Sequence, residues 1–114
     1  MTTIYGIPNC DTMKKARTWL DKHKVAHGFH DYKKAGIEKA TLEGWVKKVG
    51  WEILLNRAGT TFKKLPDADK DGITEKKAIV LMLAQPSMIK RPVLEAKGKI
   101  TVGFKPEIYQ ALFG

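Results

Sequence analysis

The chain has 114 residues, a length typical of one compact domain, and 43% of them are hydrophobic, enough to form a buried core. No apolar run is as long as a membrane span, and the start lacks the basic and apolar regions of a signal peptide, so we expect a cytoplasmic protein. The chain is large enough to be stable alone, so we expect a monomer. The formal net charge of +9 suits anionic partners. The lysines occur in scattered pairs without an aromatic-rich binding signature, which argues against nucleic acid.

The first third of the chain predicts a strand, a helix and a second strand. Residues 2–6 form the first strand, which Gly6 and Pro8 end. Residues 11–23 carry apolar side chains at helical spacing, and residues 25–32 follow as the second strand. This order is typical of a βαβ crossover.

The middle of the chain predicts helices. Thr41 is the expected N-cap of one helix, and Gly50 ends it. Thr74 is the expected N-cap of a second helix. We therefore expect a helical segment in this part of the chain.

The last part predicts a hairpin and a closing helix. Residues 93–95 and 99–102 form the two strands, which turn at residues 97–98. Pro106 opens the helix, and Ile108 is among the apolar side chains expected to face inward. The whole order predicts a small α/β domain with parallel and antiparallel strands in one sheet.

Cys10 is the only cysteine, and it stands between the first strand and the first helix. Unpaired N–H groups at a helix N-terminus favour a thiolate, as do the lysines at positions 14 and 15, whereas Asp11 opposes it. We therefore expect a reactive thiol with a moderately lowered pKa. The alternative is that Cys10 is a small buried hydrophobic residue.

Met13 stands where a C-x-x-C motif would have its second cysteine. A disulfide formed at Cys10 must therefore be resolved by a thiol from another molecule. Glutathione is the expected source, because it is abundant in reducing compartments and anionic.

Four segments carry a resemblance to a known family: GIPNCDT at residues 6–12, LLNR at 54–57, IKRPV at 89–93 and FKP at 104–106. Together they resemble the ArsC/Spx (arsenate reductase-like) family, and its bacterial YffB-type members most closely. The resemblance implies a thioredoxin-like α/β fold with a mixed four-stranded sheet and an inserted all-helical segment. It implies a single domain over residues 1–114, with halves at about 1–33 and 86–114 and the insertion at about 38–85.

The resemblance also implies that Cys10 is the nucleophile. Arsenate reductases of the family bind the oxyanion with three arginines, whose positions here hold Asn56, Arg91 and Lys105. Lysine presents a point charge and asparagine no charge, so this replacement weakens an oxyanion site. The histidine and the arginine that flank the cysteine in those enzymes are also replaced, by Gly6 and Lys14.

The function implied is a monothiol oxidoreductase that uses glutathione to reduce a disulfide, either small or on a protein. Arg91 holds a carboxylate or stabilises the thiolate, and Pro92 stands where thioredoxin-like folds place a cis-proline. The remaining expected contacts with substrate or glutathione are Asn9, Thr12, Lys14, Asn56, Arg57 and Lys105. The alternatives are an arsenate reductase served by glutathione or glutaredoxin, and a non-enzymatic regulator of the Spx type.

No bound metal or resident cofactor is expected. Residues 67–72 match the first half of a calcium-binding EF-hand loop, but Ala78 stands where the loop needs a glutamate. His27 and His30 are expected on opposite faces of a strand, which does not suit a shared metal.

Overall fold

The structure is a computed structural model that describes residues 2–113. In chain order the elements are β1 (Thr3–Gly6), α1 (Asp11–Lys22), β2 (Gly28–Asp31), α2 (Tyr32–Ala35), α3 (Lys39–Val49), α4 (Trp51–Leu54), α5 (Thr60–Lys63), α6 (Asp67–Lys70), α7 (Glu75–Ala84), a 3₁₀ turn (Pro86–Met88), β3 (Val93–Ala96), β4 (Lys99–Val102) and α8 (Pro106–Phe113). Within the described residues, no helix is long and apolar enough to cross a membrane.

The chain divides into two compact units. The first contains the residues up to Tyr32 and those from Arg91 onward, and the second is Lys33–Lys90. All four strands belong to the first unit, and helices α3 to α7 belong to the second. The segment between the two halves of the sheet is therefore helical.

The sheet has the strand order β2-β1-β3-β4. Strand β1 pairs with β2 in parallel and with β3 antiparallel, and β3 pairs with β4 antiparallel. Gly6 is aligned with Asp31, and Tyr5 with Val93, so the end of β1, the end of β2 and the start of β3 share one edge. The expected thioredoxin-like fold with a mixed four-stranded sheet and a helical insertion is thus confirmed.

The core of the first unit lies between the sheet and helices α1 and α8. Its fully or nearly fully buried side chains are Ile4, Met13, Ala16, Leu20, Leu94, Ala96 and Tyr109. Gly6 is part of this packing, because a Cβ atom at that position would collide with the sulfur atom of Met13. The end of β1 and the first turn of α1 therefore fit closely together.

The second strand is shorter than residues 25–32. Lys24 adopts a left-handed conformation (φ 56°), and the Val25 N–H donates to the carbonyl oxygen of Leu20 at 2.9 Å. This Schellman-type ending uses Val25 to close α1 and delays β2 to Gly28. The tight hydrogen-bonded turn also accounts for a non-glycine residue at positive φ.

Two other details of the prediction were wrong. Helix α3 begins at Lys39 with the extended Glu38 before it, so Thr41 lies inside the first turn and is not the N-cap. Ile108 keeps 41% of its surface exposed, because the buried side of the short helix α8 is centred on Tyr109. The predicted cap of α7 was confirmed, since the Lys77 N–H donates to Thr74 Oγ1 at 3.3 Å.

Candidate active site around Cys10

Cys10 occupies the N-cap position of α1 with an extended backbone (φ −128°, ψ 129°). Its carbonyl oxygen accepts the Lys14 N–H at 2.9 Å, the first hydrogen bond of the helix. Its side chain is partly buried and packs against the core of the first unit. The sulfur therefore sits where the backbone N–H groups of the first helical turn have no carbonyl partner within the helix.

The pKa of the Cys10 thiol is lowered from its ordinary value. Burial alone would raise this pKa, but the backbone N–H of Met13, the Arg91 side chain and the backbone N–H of Thr12 together outweigh burial. Each of these groups stabilises the thiolate, either through a hydrogen bond or, for Arg91, also through its positive charge. A thiol with these neighbours is nucleophilic nearer neutral pH than an ordinary cysteine.

Arg91 reaches the thiol from the segment just before β3, although it is 81 positions away along the chain. The register of β1 and β3 explains this approach, because Val93 is aligned with Tyr5 near the end of β1. The Arg91–Pro92 peptide bond is cis, and the buried Pro92 accepts the Gly103 N–H at 2.8 Å through its carbonyl oxygen. Pairing with β1 and the bond to Gly103 hold Arg91 at the same edge as Cys10.

Tyr32 is a site residue that the sequence argument missed. It follows β2 directly, its side chain is fully buried, and Arg91 forms a hydrogen bond with it. Burial raises the pKa of Tyr32, and the charge of Arg91 and its hydrogen bond only partly offset this, so the phenol stays neutral. Arg91 thus contacts both Cys10 and Tyr32. A tyrosine at the carboxyl end of a parallel strand beside β1 was the available signal.

The other predicted contacts in the first unit lie on loops and on the first turn of α1. Asn9, Lys14 and Lys105 are exposed, whereas Thr12 is half-buried and turns its backbone N–H toward Cys10. Lys105 directly precedes α8. Their binding of substrate or glutathione stays a prediction.

The ArsC family model matches residues 5–112, which is nearly the whole chain. The chain belongs to the ArsC family. A solved structure of a protein named YffB is 60% identical, with a TM-score of 0.97 and full coverage of both chains. An arsenate reductase (ArsC) related protein from Brucella melitensis is also 60% identical, with a TM-score of 0.78 over 98% of this chain and 93% of that one. The global transcriptional regulator Spx of Streptococcus agalactiae is 28% identical over 97% of this chain and 82% of its own length.

Two of the residues matched to the ArsC pattern, Asn56 and Arg57, belong to the second unit. They stand in the turn between α4 and α5, where the Asn56 N–H donates to the carbonyl oxygen of Met88 at 2.7 Å. The guanidinium of Arg57 lies over the ring of Trp51, 5.4 Å from its centroid. Both residues therefore have contacts inside their own unit, and their part in binding stays a prediction.

The residues that resembled metal ligands have other contacts in this ArsC family member. Asp67–Lys70 is a helical turn, and the ammonium group of Lys77 donates to the carbonyl oxygens of Ala68 and Asp71 at 2.8 and 2.9 Å. Two backbone carbonyl oxygens of this segment therefore accept hydrogen bonds from a lysine cation. His27 Nδ1 lies 2.8 Å from the carbonyl oxygen of Val25. Across residues 2–113, no three His, Cys, Asp or Glu side chains are grouped so that they could hold a metal ion.

Proposed function

We propose that the chain is a monothiol reductase that uses glutathione to reduce mixed disulfides through Cys10. The observation that carries this proposal is a single thiol whose thiolate is stabilised by Arg91 and by the first turn of α1. The family supports thiol chemistry, since its named members include arsenate reductase related proteins. A chain with one cysteine needs a second thiol from solution, and glutathione supplies it.

The reaction has two exchange steps. In the first, the Cys10 thiolate attacks the glutathione sulfur of a mixed disulfide, a new sulfur–sulfur bond forms, and the substrate leaves as a thiolate. In the second, a glutathione thiolate attacks the same glutathione sulfur on the protein, which releases oxidised glutathione and restores the Cys10 thiolate. The sum is a mixed disulfide plus glutathione giving a thiol plus oxidised glutathione.

Arg91 has two roles in this scheme. Its charge raises the fraction of Cys10 that is ionised, and the same charge favours the return of Cys10 as the leaving thiolate in the second step. Glutathione carries two carboxylates, and the exposed Lys14 and Lys105 are the proposed partners for them. Asn9, Thr12, Pro92, Asn56 and Arg57 are proposed as further contacts. Glutaredoxin is a second proposed electron donor, and the cytoplasm is the proposed compartment.

Arsenate reduction is the second candidate, because a 60% identical protein is named for its relation to arsenate reductase. Against it, the three arginine positions of the family pattern hold one arginine, one asparagine and one lysine in this chain. A site of this composition offers a tetrahedral oxyanion one planar guanidinium instead of three. We therefore rank the mixed disulfide above arsenate as the substrate.

The test measures glutathione-dependent turnover with two substrates under identical conditions. The first is the mixed disulfide of glutathione and 2-mercaptoethanol, and the second is arsenate. We expect the wild type to reduce the mixed disulfide and Cys10→Ser to lose that activity while keeping its fold. Activity with arsenate alone would replace the proposal with the second candidate. No turnover of either substrate, with Cys10 ionised, would favour a regulator of the Spx type.

A further inference from the structure

An open apolar groove with a basic rim lies on the first unit, beside α1. Trp19, Phe104 and Pro106 form its apolar lining, and its volume is about 420 Å³. Thr18 also lines it, and every charged residue that does so is a lysine. The three lysines are Lys14, Lys15 and Lys22. We call this feature the α1 groove.

The lysines on the rim of the α1 groove are exposed cations without a salt-bridge partner in the described part of the chain. Lys14, Lys15 and Lys22 are exposed, and none of them forms a salt bridge with a carboxylate of residues 2–113. The three ammonium groups border a lining of aromatic and proline carbon. Such a surface is complementary to a chain segment that combines carboxylates with a large apolar side chain.

One end of the α1 groove lies near the candidate active site. The Lys14 N–H donates to the carbonyl oxygen of Cys10 at 2.9 Å, so the groove begins one helical turn from the nucleophile. The aromatic wall is firmly supported, because Trp19 packs edge-on against the buried ring of Tyr109 with centroids 5.6 Å apart. Phe104 packs edge-on against the same ring at 4.7 Å. A segment that occupies the groove would therefore meet a well-supported surface that begins one helical turn from Cys10.

We propose that the α1 groove binds an acidic segment of a protein substrate, with a large apolar side chain of that segment against Trp19 and Phe104. This inference rests on the proposed function and names its substrate class: a glutathionylated protein cysteine with acidic and apolar neighbours. A protein fits better than a nucleic acid for two reasons. The groove lining contains no arginine, the residue best suited to phosphates, and a nucleic acid carries no disulfide for Cys10 to reduce.

Binding is tested first without any chemistry. The probe is a short fluorescein-labelled peptide of glutamates and one phenylalanine around a central serine, and its partner peptide has lysine for each glutamate. We expect the full-length protein to bind the acidic peptide at least about tenfold more tightly than the basic one at low salt, with the difference shrinking at high salt. Lys15→Glu combined with Lys22→Glu should abolish the preference.

The matched control is Lys63→Glu combined with Lys64→Glu, which reverses the same number of exposed lysines in the second unit. This control should keep the preference. Equal affinity for the two peptides overturns the inference, and so does a preference that survives in the Lys15 and Lys22 variant. A DNA duplex and anionic vesicles are tested in the same way. If either binds with salt sensitivity and only the Lys15 and Lys22 variant loses that binding, the groove belongs to another partner and the inference is overturned.

The same peptides with a glutathionylated cysteine at the centre separate the two proposals. Faster reduction of the acidic peptide, measured relative to the small mixed disulfide in each variant, supports both. Reduction of the small disulfide with no charge preference between the peptides contradicts the groove and leaves the reductase. Binding of the acidic peptide without any reduction supports the groove and contradicts the reductase.

Discussion

Arg91→Gln tests whether Arg91 is a main source of thiolate stabilisation at Cys10. The substitution removes a charge-assisted hydrogen bond and a nearby positive charge while keeping a side chain of similar length. Hydrogen bonds to charged groups contribute about 1.5–3 kcal/mol, and the low end applies because Cys10 is only partly buried. One pKa unit corresponds to about 1.4 kcal/mol. We therefore expect the pKa of Cys10 to rise by about one unit.

The assay is the rate of alkylation by iodoacetamide as a function of pH. A higher pKa also makes the thiolate intrinsically more nucleophilic, with a Brønsted coefficient of about 0.4–0.5. The limiting rate at high pH should therefore rise about threefold, while the rate well below the pKa should fall about threefold. The curves of alkylation rate against pH for the wild type and Arg91→Gln therefore cross. This crossing distinguishes a change in pKa from a general loss of access to the thiol or of folding.

Arg17→Gln is the matched control for this prediction. It makes the same substitution in the same unit, and the Arg17 guanidinium lies over the ring of Phe29, 4.4 Å from its centroid. Arg17 is not among the groups that act on the Cys10 thiol. An unchanged alkylation profile in Arg91→Gln, or an equal change in Arg17→Gln, would refute the assignment of Arg91.

Three further predictions concern the neighbours of the thiol and the fold around it. Tyr32 acts on Cys10 through its hydrogen bond with Arg91, so Tyr32→Phe should raise the pKa of Cys10 by less than Arg91→Gln does. It should have no further effect in the Arg91→Gln background, and the pH dependence of alkylation of the double variant measures this. Because folding lowers the pKa of Cys10, the unfolding free energy of the wild type relative to Cys10→Ser should rise with pH between the folded-state pKa and about pH 8.5. The slope should be at most about 1.4 kcal/mol per pH unit, and the gain should be lost as pH falls through the folded-state pKa. Urea titrations at several pH values measure this difference. Gly6→Ala should lower the unfolding free energy by about 1–3 kcal/mol in a urea titration, because the new methyl group collides with Met13.

Each of these predictions has an outcome that contradicts it. An additive effect of Tyr32→Phe on the Arg91→Gln background would mean that Tyr32 acts on the thiol independently of Arg91. A pH-independent difference between wild type and Cys10→Ser would show that the thiolate is not stabilised by folding. Gly44→Ala is the control for Gly6→Ala, since the new methyl group meets no atom within 4 Å in helix α3 and should stabilise slightly. A loss at Gly44 equal to that at Gly6 would remove the packing explanation.

The order of strands and helices followed from local patterns, and so did the position of Cys10 before α1. Apolar spacing, the turn at residues 97–98 and the proline at the start of α8 are all signals carried by a few adjacent residues. The end of α1 was harder to predict, because it depends on a left-handed conformation at Lys24. A glycine at this position would have predicted that conformation. Hydrophobic pattern alone placed Val25 in a strand.

The partners of the thiol were only partly predictable. The first turn of α1 is local, so its effect on Cys10 could be expected from the sequence. Arg91 came from the family resemblance, since no local pattern connects residues that far apart. Tyr32 was missed because its role depends on the alignment of β2 with β1 and on burial against Arg91. The predicted second strand ended at residue 32, whereas β2 ends at Asp31. Tyr32 was therefore assigned to the strand and not to the position directly after it.

The close fit of Gly6 and Met13 has a consequence for how this chain could acquire the chemistry of its relatives. The arsenate reductase pattern places a histidine at position 6, but the sulfur of Met13 fills the space next to that position. A two-cysteine motif would place a cysteine, which is smaller than methionine, at position 13. The space next to Gly6 that Met13 now fills would then be partly empty. Neither change is acceptable by itself, since one overfills the site and the other opens a void. Engineering a second thiol or a histidine into this protein therefore requires changing both positions together.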